Sequence, residues 1–209
     1  MAVTPNYSWP VPVNTDLVKD GAEAIKALGD AIDATVFGLP SGALALVKTQ
    51  VIGSAVTNVQ VNDCFNSTYS NYRIIVSILA NSATDTNIGF QFVDGTTPVT
   101  STNYEYAALG LSSSNVTENK SASGATSFVL GSTSSAQMAF GLSLDVYKPQ
   151  LANQTTITYT ASNTYNTGRF YSGSGTGRLA LTTQLEGIAI LSSSGTITGG
   201  TIAVYGYQN

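Results

Sequence analysis

Gln137–Tyr147 reads QMAFGLSLDVY, and Met138, Phe140, Leu142, Leu144 and Val146 fall at every second position. A period of two puts all five side chains on one face of a β-strand, with one face buried and the other wet. The same grammar extends in both directions along the chain. Tyr72–Leu79 (YRIIVSIL) is the strongest apolar run and reads as a buried central strand. Asn87–Val93 alternates and stops at Asp94-Gly95, a turn pair. Leu44–Ile52, Val56–Val61, Ser127–Leu130, Thr155–Thr160, Asn166–Tyr171, Leu185–Leu191 and Thr196–Tyr207 add further strands, while Tyr104–Leu111 reads either as a strand or as one helical turn. Short strands separated by turn residues, with no helices between them, predict a mainly β fold of about eight to ten strands, a jelly-roll-like β-sandwich spanning residues 43–209.

The segment before that sandwich obeys different rules. Pro5, Pro10 and Pro12 fix φ and remove backbone donors, so residues 1–13 are neither helix nor central strand and read as an extended arm. Trp9, the sole tryptophan, sits there beside Tyr7. The pair either folds back on the chain or anchors in a partner's groove, where buried aromatics carry much of the binding energy. Asn14 or Thr15 can cap a helix that follows, with Asp16 at its positive end. Within that helix Val18, Ile25 and Ile32 recur every seven residues, Leu28 takes the complementary position, and Gly21 and Thr35 continue it weakly. Lys19–Glu23 and Lys26–Asp30 are flanking pairs one turn apart. So short a helix, with Gly21 and Gly29 inside it, is marginal alone and needs its apolar seam buried, against the β domain or against other copies. Gly38 and Pro40 end it, giving an N-terminal docking arm and amphipathic helix over residues 1–42.

Composition excludes more chemistry than it assigns. Only 10% of residues are charged and the net charge is -4, with eight lysines and arginines scattered along the chain, so no phosphate-binding patch can be drawn and nucleic acid is not expected as a partner. The chain contains no histidine, which removes Ser-His-Asp and Cys-His nucleophiles and any histidine-bearing zinc site. Cys64 is the single cysteine, so no intrachain disulfide forms, and it reads as a small buried hydrophobe. No apolar run reaches the length of a membrane span, and no basic and apolar leader of the secretory kind opens the sequence. Asp94, Glu105, Glu118, Asp145 and Glu186 could in principle supply a glycosidase carboxylate pair, but nothing marks two of them as partners. Ser172–Arg178 (SGSGTGR) lacks the Gly-Lys-Ser/Thr ending of a phosphate loop and reads as a flexible β-loop. No catalytic residue, cofactor or metal ligand is therefore expected. Tyr165, Arg169 and Tyr171 form the best candidate for an exposed ligand-contacting loop, because aromatic rings beside polar groups suit sugars.

Two stretches carry a resemblance. Pro5–Asp33, with its Tyr-x-Trp-Pro-Val-Pro core and Val-Lys-Asp-Gly continuation, resembles the N-terminal region of tailed-bacteriophage virion proteins of the tail-fibre, minor-tail and head-fibre kinds. Leu46–Ser54, Phe65–Val76 and the closing Gly199–Asn209 resemble the β domain that follows in such proteins. The resemblance implies a non-enzymatic protein of the virion surface, a homotrimer whose N-terminal region docks on a phage capsid or tail protein through Tyr7, Trp9, Pro10 and Pro12. It also implies a stem whose Val18, Ile25, Leu28 and Ile32 face a three-fold axis. Valine at one core position with leucine at the other departs from the pattern that favours trimers in peptides, so the β heads would have to share the interface. Two roles stay open: a capsid spike or decoration protein, favoured by the short stem, and a tail fibre adhering to host surface polysaccharide.

Overall fold

The computed structural model describes residues 2–13, 17–38, 44–83, 86–114, 117–133, 140–164 and 170–208. The chain divides into two compact units, Met1–Gly42 and Ala43–Asn209.

In the first unit the proline-rich arm is a hairpin rather than an open extended peptide. Strand β1 (Ala2–Val3) pairs antiparallel with β2 (Pro10–Val11). Between them the Thr4 amide donates to the Trp9 carbonyl at 2.9 Å, the Ser8 amide to the Thr4 carbonyl at 3.0 Å, and the Trp9 amide to the Thr4 hydroxyl at 3.0 Å. Prolines are tolerated because so short a ladder is all edge. A single 3-10 turn, Val18–Asp20, leads into helix α1 (Gly21–Gly38). The capping expected of Asn14, Thr15 and Asp16 lies outside the described residues.

The second unit is a β-sandwich. Its strands are β3 (Leu44–Val51), β4 (Asn58–Val61), β5 (Asn71–Asn81), β6 (Thr86–Asp94), β7 (Thr97–Pro98), β8 (Tyr104–Ser112), β9 (Thr117–Ala125), β10 (Phe128–Thr133), β11 (Phe140–Tyr147), β12 (Thr155–Thr164), β13 (Phe170–Leu179), β14 (Gly187–Ser192) and β15 (Ile197–Tyr207). The larger sheet has eight strands in the order β3-β15-β5-β11-β12-β13-β8-β9, and the smaller runs β10-β6-β14-β4 with β7 beside β6. All pairings are antiparallel, and the chain changes sheet repeatedly, as it does between β5 and β6 and between β14 and β15.

Alternation decides which side chains meet. Tyr72, Ile74, Val76 and Ile78 of β5 and Phe140, Leu142, Leu144 and Val146 of β11 point inward in register, Leu144 opposite Ile74. Ile88, Phe90 and Phe92 of β6 and Ile188 and Ile190 of β14 meet them from the smaller sheet as one contiguous core. Polar atoms of the buried tyrosines are satisfied. The Tyr104 hydroxyl donates to the Val99 carbonyl at 2.8 Å and accepts from the Phe92 amide at 3.0 Å, tying the β6–β7 turn to the core. That turn is closed by Gly95 at φ 60°, as the Asp-Gly pair requires. The Tyr159 hydroxyl donates to the Val129 carbonyl at 3.2 Å, linking one sheet to the other.

Two strands stand outside those expected from the sequence. Thr117–Ala125 (TENKSASGA) is almost wholly polar, yet it is the edge strand β9, paired along β8. Ser172–Arg178 is not a flexible loop but the middle of β13, hydrogen-bonded to β12 on one side and β8 on the other. Its glycines alternate with Ser172, Ser174 and Thr176, and they occupy the inward positions. A Cβ on Gly177 would lie 2.5 Å from the Phe128 ring, and one on Gly175 2.8 Å from the Tyr159 ring. The glycines make room for aromatic side chains beneath the strand.

Candidate functional site

Helix α1 carries two apolar stripes. Ala24, Leu28, Ala31 and Thr35 form the one that meets its own hairpin: Ala24 is buried, and the Trp9 indole N–H donates to the Thr35 hydroxyl at 2.8 Å. Thr35 in turn donates to the Ala31 carbonyl at 2.8 Å, and Tyr7 stacks on Trp9 with ring centres 5.0 Å apart. The second stripe starts at Val18 in the preceding 3-10 turn and continues along the helix as Ala22, Ile25, Gly29, Ile32 and Val36, advancing by four and three residues in turn, its helical members about 110° around the axis from the first. Most of it is uncovered: Val18 is 97% exposed, Ile25 66% and Val36 58%, while Ile32 is half-buried. A four-three apolar repeat left in water is the pattern of a helix–helix seam.

The predicted stem residues therefore separate. Val18, Ile25 and Ile32 share the second stripe, with Val18 and Ile25 exposed and Ile32 half-buried, whereas Leu28, also half-buried, lies on the stripe of Ala24 and Thr35. Ala22, Gly29 and Val36 complete the seam, and the seven-residue spacing already held them at four residues beyond each larger member. Of the predicted docking residues, Tyr7 and Pro12 are exposed, while Trp9 and Pro10 are half-buried within the hairpin. Trp9 thus serves its own unit first, and the exposed edge it leaves is the stacked ring of Tyr7.

In the head, Tyr171 does not belong to an exposed ligand loop. It is buried at 5%, pointing inward under β8, where a Cβ on Gly110 would overlap its hydroxyl. Strand parity explains the correction, because Tyr171 shares the inward positions with the glycines of β13. Tyr165 and Arg169 lie outside the described residues. The outward positions build a different surface. Thr156, Thr158, Thr160 and Ser162 on β12 lie beside Thr176, Ser174 and Ser172 on β13, and these border Ala107, Leu109 and Leu111 on β8. Leu109 and Leu111 are more than half exposed. Two shallow grooves of about 440 and 450 Å³ run along this hydroxyl and aliphatic face.

Several titratable groups of the head are held in structural roles. Arg73 grips Asp145 through two bonds of 2.8 and 2.7 Å, and the Tyr207 hydroxyl donates to the same carboxylate at 2.7 Å. The Arg73 hydrogen bonds hold the Asp145 carboxyl below its ordinary range, and burial followed by the bond to Asp145 pushes Tyr207 up to about 12. Glu105 is paired with Arg178 at 2.7 Å. Asp145, one of the carboxylates weighed for glycoside chemistry, is thus held as an anion by Arg73, the opposite of what a general acid needs. Cys64 is wholly buried, and desolvation lifts its thiol to about 12, so it is inert at neutral pH. Among the described residues no cluster of three or more His, Cys, Asp or Glu could hold a metal ion, and no helix is long and apolar enough to cross a membrane.

No protein-family model matches the chain, and no curated protein matches it.

Proposed function

We propose that the chain is a non-enzymatic structural protein of a tailed-phage virion surface, a homotrimeric spike or capsid decoration protein docked through its N-terminal unit. The observation that carries this reading is the open seam of Val18, Ala22, Ile25, Gly29, Ile32 and Val36. The hairpin of its own unit uses the other stripe and does not cover this one. Three copies could close it around a common axis, with Ala22 and Gly29 permitting close approach. Tyr7 and Pro12, left exposed by the hairpin, are the side chains offered to the particle. The restrained carboxylates and inert thiol of the head support a structural rather than a catalytic role.

A second reading, a tail fibre adhering to host surface glycan, draws on the hydroxyl-rich outer face of β12 and β13. Both readings are tested by sedimentation of the pure chain and by mass spectrometry of purified particles. A trimer present at a copy number comparable with the major capsid protein supports decoration; a small fraction of that number supports a tail appendage. A monomer in solution that is absent from particles refutes both.

A further inference from the structure

Three loops of the head converge on a cleft of about 230 Å³ lined by Ser67, Tyr69, Ser70, Lys148, Gln150, Leu151 and Gln184. It is smaller than the range typical of drug-sized ligands, so it suits a single small ring. The loops are cross-tied before any ligand arrives. The Lys148 amide donates to the Ser70 carbonyl at 3.0 Å and the Leu185 amide to the Pro149 carbonyl at 2.9 Å. The Gln150 amide nitrogen donates to the carbonyls of Phe65 at 3.1 Å and Leu185 at 2.7 Å, which fixes its orientation and leaves its amide oxygen to accept. Tyr69 is held by packing: it meets Tyr72 edge-on at 6.0 Å, and a Cβ on Gly206 would strike its ring.

The cation in this cleft differs from the others in the head. Lys48 is bonded to the Asn62 carbonyl, Lys120 to the Ser132 hydroxyl, Arg73 to Asp145 and Arg178 to Glu105. Lys148 alone among the described cations of the head has no side-chain partner, and its backbone sits at φ 54°, holding the loop in a sharp turn. An unpaired ammonium, a fixed amide acceptor, a second amide, two serine hydroxyls and a braced aromatic ring are the complement of a pyranose bearing a carboxylate.

We propose that this cleft binds one acidic sugar residue, its carboxylate on Lys148 and its hydroxyls on Gln150, Gln184 and the two serines. The inference deepens the reading of the head as a glycan-adhering surface and supplies that reading with a site. The full chain is titrated, by ligand-observed NMR and calorimetry, with methyl glycosides of glucuronate, galacturonate and N-acetylneuraminate. Methyl glucoside, methyl galactoside and a short peptide with a free C-terminal carboxylate serve as comparisons. At least one acidic glycoside should bind, about tenfold or more tighter than its neutral counterpart. Lys148→Asn, which keeps a residue tolerant of the left-handed backbone, should remove about the same factor, and Gln184→Ala should weaken binding while unfolding temperature stays unchanged. Acidic-sugar binding that persists in Lys148→Asn places glycan recognition elsewhere and overturns the site alone. No sugar binding at all overturns the site and the glycan-adhering reading together, and binding of the peptide instead of the sugars overturns the choice of ligand.

Discussion

The two units solve the burial problem in opposite ways. The head takes most large apolar side chains of its strands into one core, with Tyr72, Ile74, Phe90, Phe128 and Leu144 at 0% exposure. In the N-terminal unit the buried hydrophobic side chain is Ala24, among the described residues, while Val18, Ile25, Val36 and Phe37 stand in water. A chain that can build the first kind of unit has no compositional reason to leave the second so open. The contrast teaches that the head buries its apolar faces within its own unit, whereas the N-terminal unit leaves much of its helix uncovered by its own hairpin.

The largest expected effect sharpens this contrast at two glycines. Gly110→Val drives a side chain into Tyr171 and should destabilise the head by about 3 kcal/mol or more, seen as loss of cooperative thermal unfolding. Gly29→Ala meets nothing within 4 Å and should instead favour the helix by about 1 kcal/mol, leaving the head's unfolding temperature alone. Next, Ile25→Asp with Ile32→Asp should abolish association in sedimentation velocity while the head melts as before. An unchanged oligomer would show that the seam is not what assembles the protein. Removing residues 1–42 should leave a head of unaltered hydrogen-exchange protection, and a collapse of protection would break the claim that it is complete by itself.

A smaller effect lies in pH. Cys64 and Tyr207 have folded values raised to about 12 from 9.0 and 10.0, so their contribution is whole below those ordinary values and is lost as pH rises towards 12. Asp145 is lowered from 3.8, so its contribution is whole above 3.8 and is lost as pH falls through the lower folded value. Head stability should form a plateau between about pH 4 and 9, and Cys64→Ala should flatten the start of the alkaline limb. The smallest effect is local. Thr35→Val removes the acceptor of the Trp9 indole and should cost about 1 kcal/mol in the N-terminal unit alone. Because Trp9 is the only tryptophan, its emission reports that loss without interference from the head.

How much was legible follows from which rule each segment obeys. Strands with one buried apolar face, such as Phe140–Tyr147 and Asn71–Asn81, announce themselves by period two. β9 and β13 do not, because an edge strand of polar residues and a strand with glycines beneath rings have no apolar alternation to find. The alternation in β13 is nonetheless present as glycine against hydroxyl, and it would have placed Tyr171 inside. The helix was readable, but its two stripes were merged into one seam, since Leu28 fits a heptad whether it faces a partner or its own hairpin. The cleft around Lys148 joins residues more than a hundred positions apart, from Ser67 to Gln184, and no local pattern connects them.

The glycine and hydroxyl alternation of β13 has a further consequence. Every constraint from packing falls on one parity of the strand, where a single added methyl collides with a ring. The other parity, Ser172, Ser174 and Thr176, meets only its neighbours on an open face. Substitutions there leave the interior untouched, so the face that meets the outside can drift, diversify or be rewritten while the architecture beneath it stays constant.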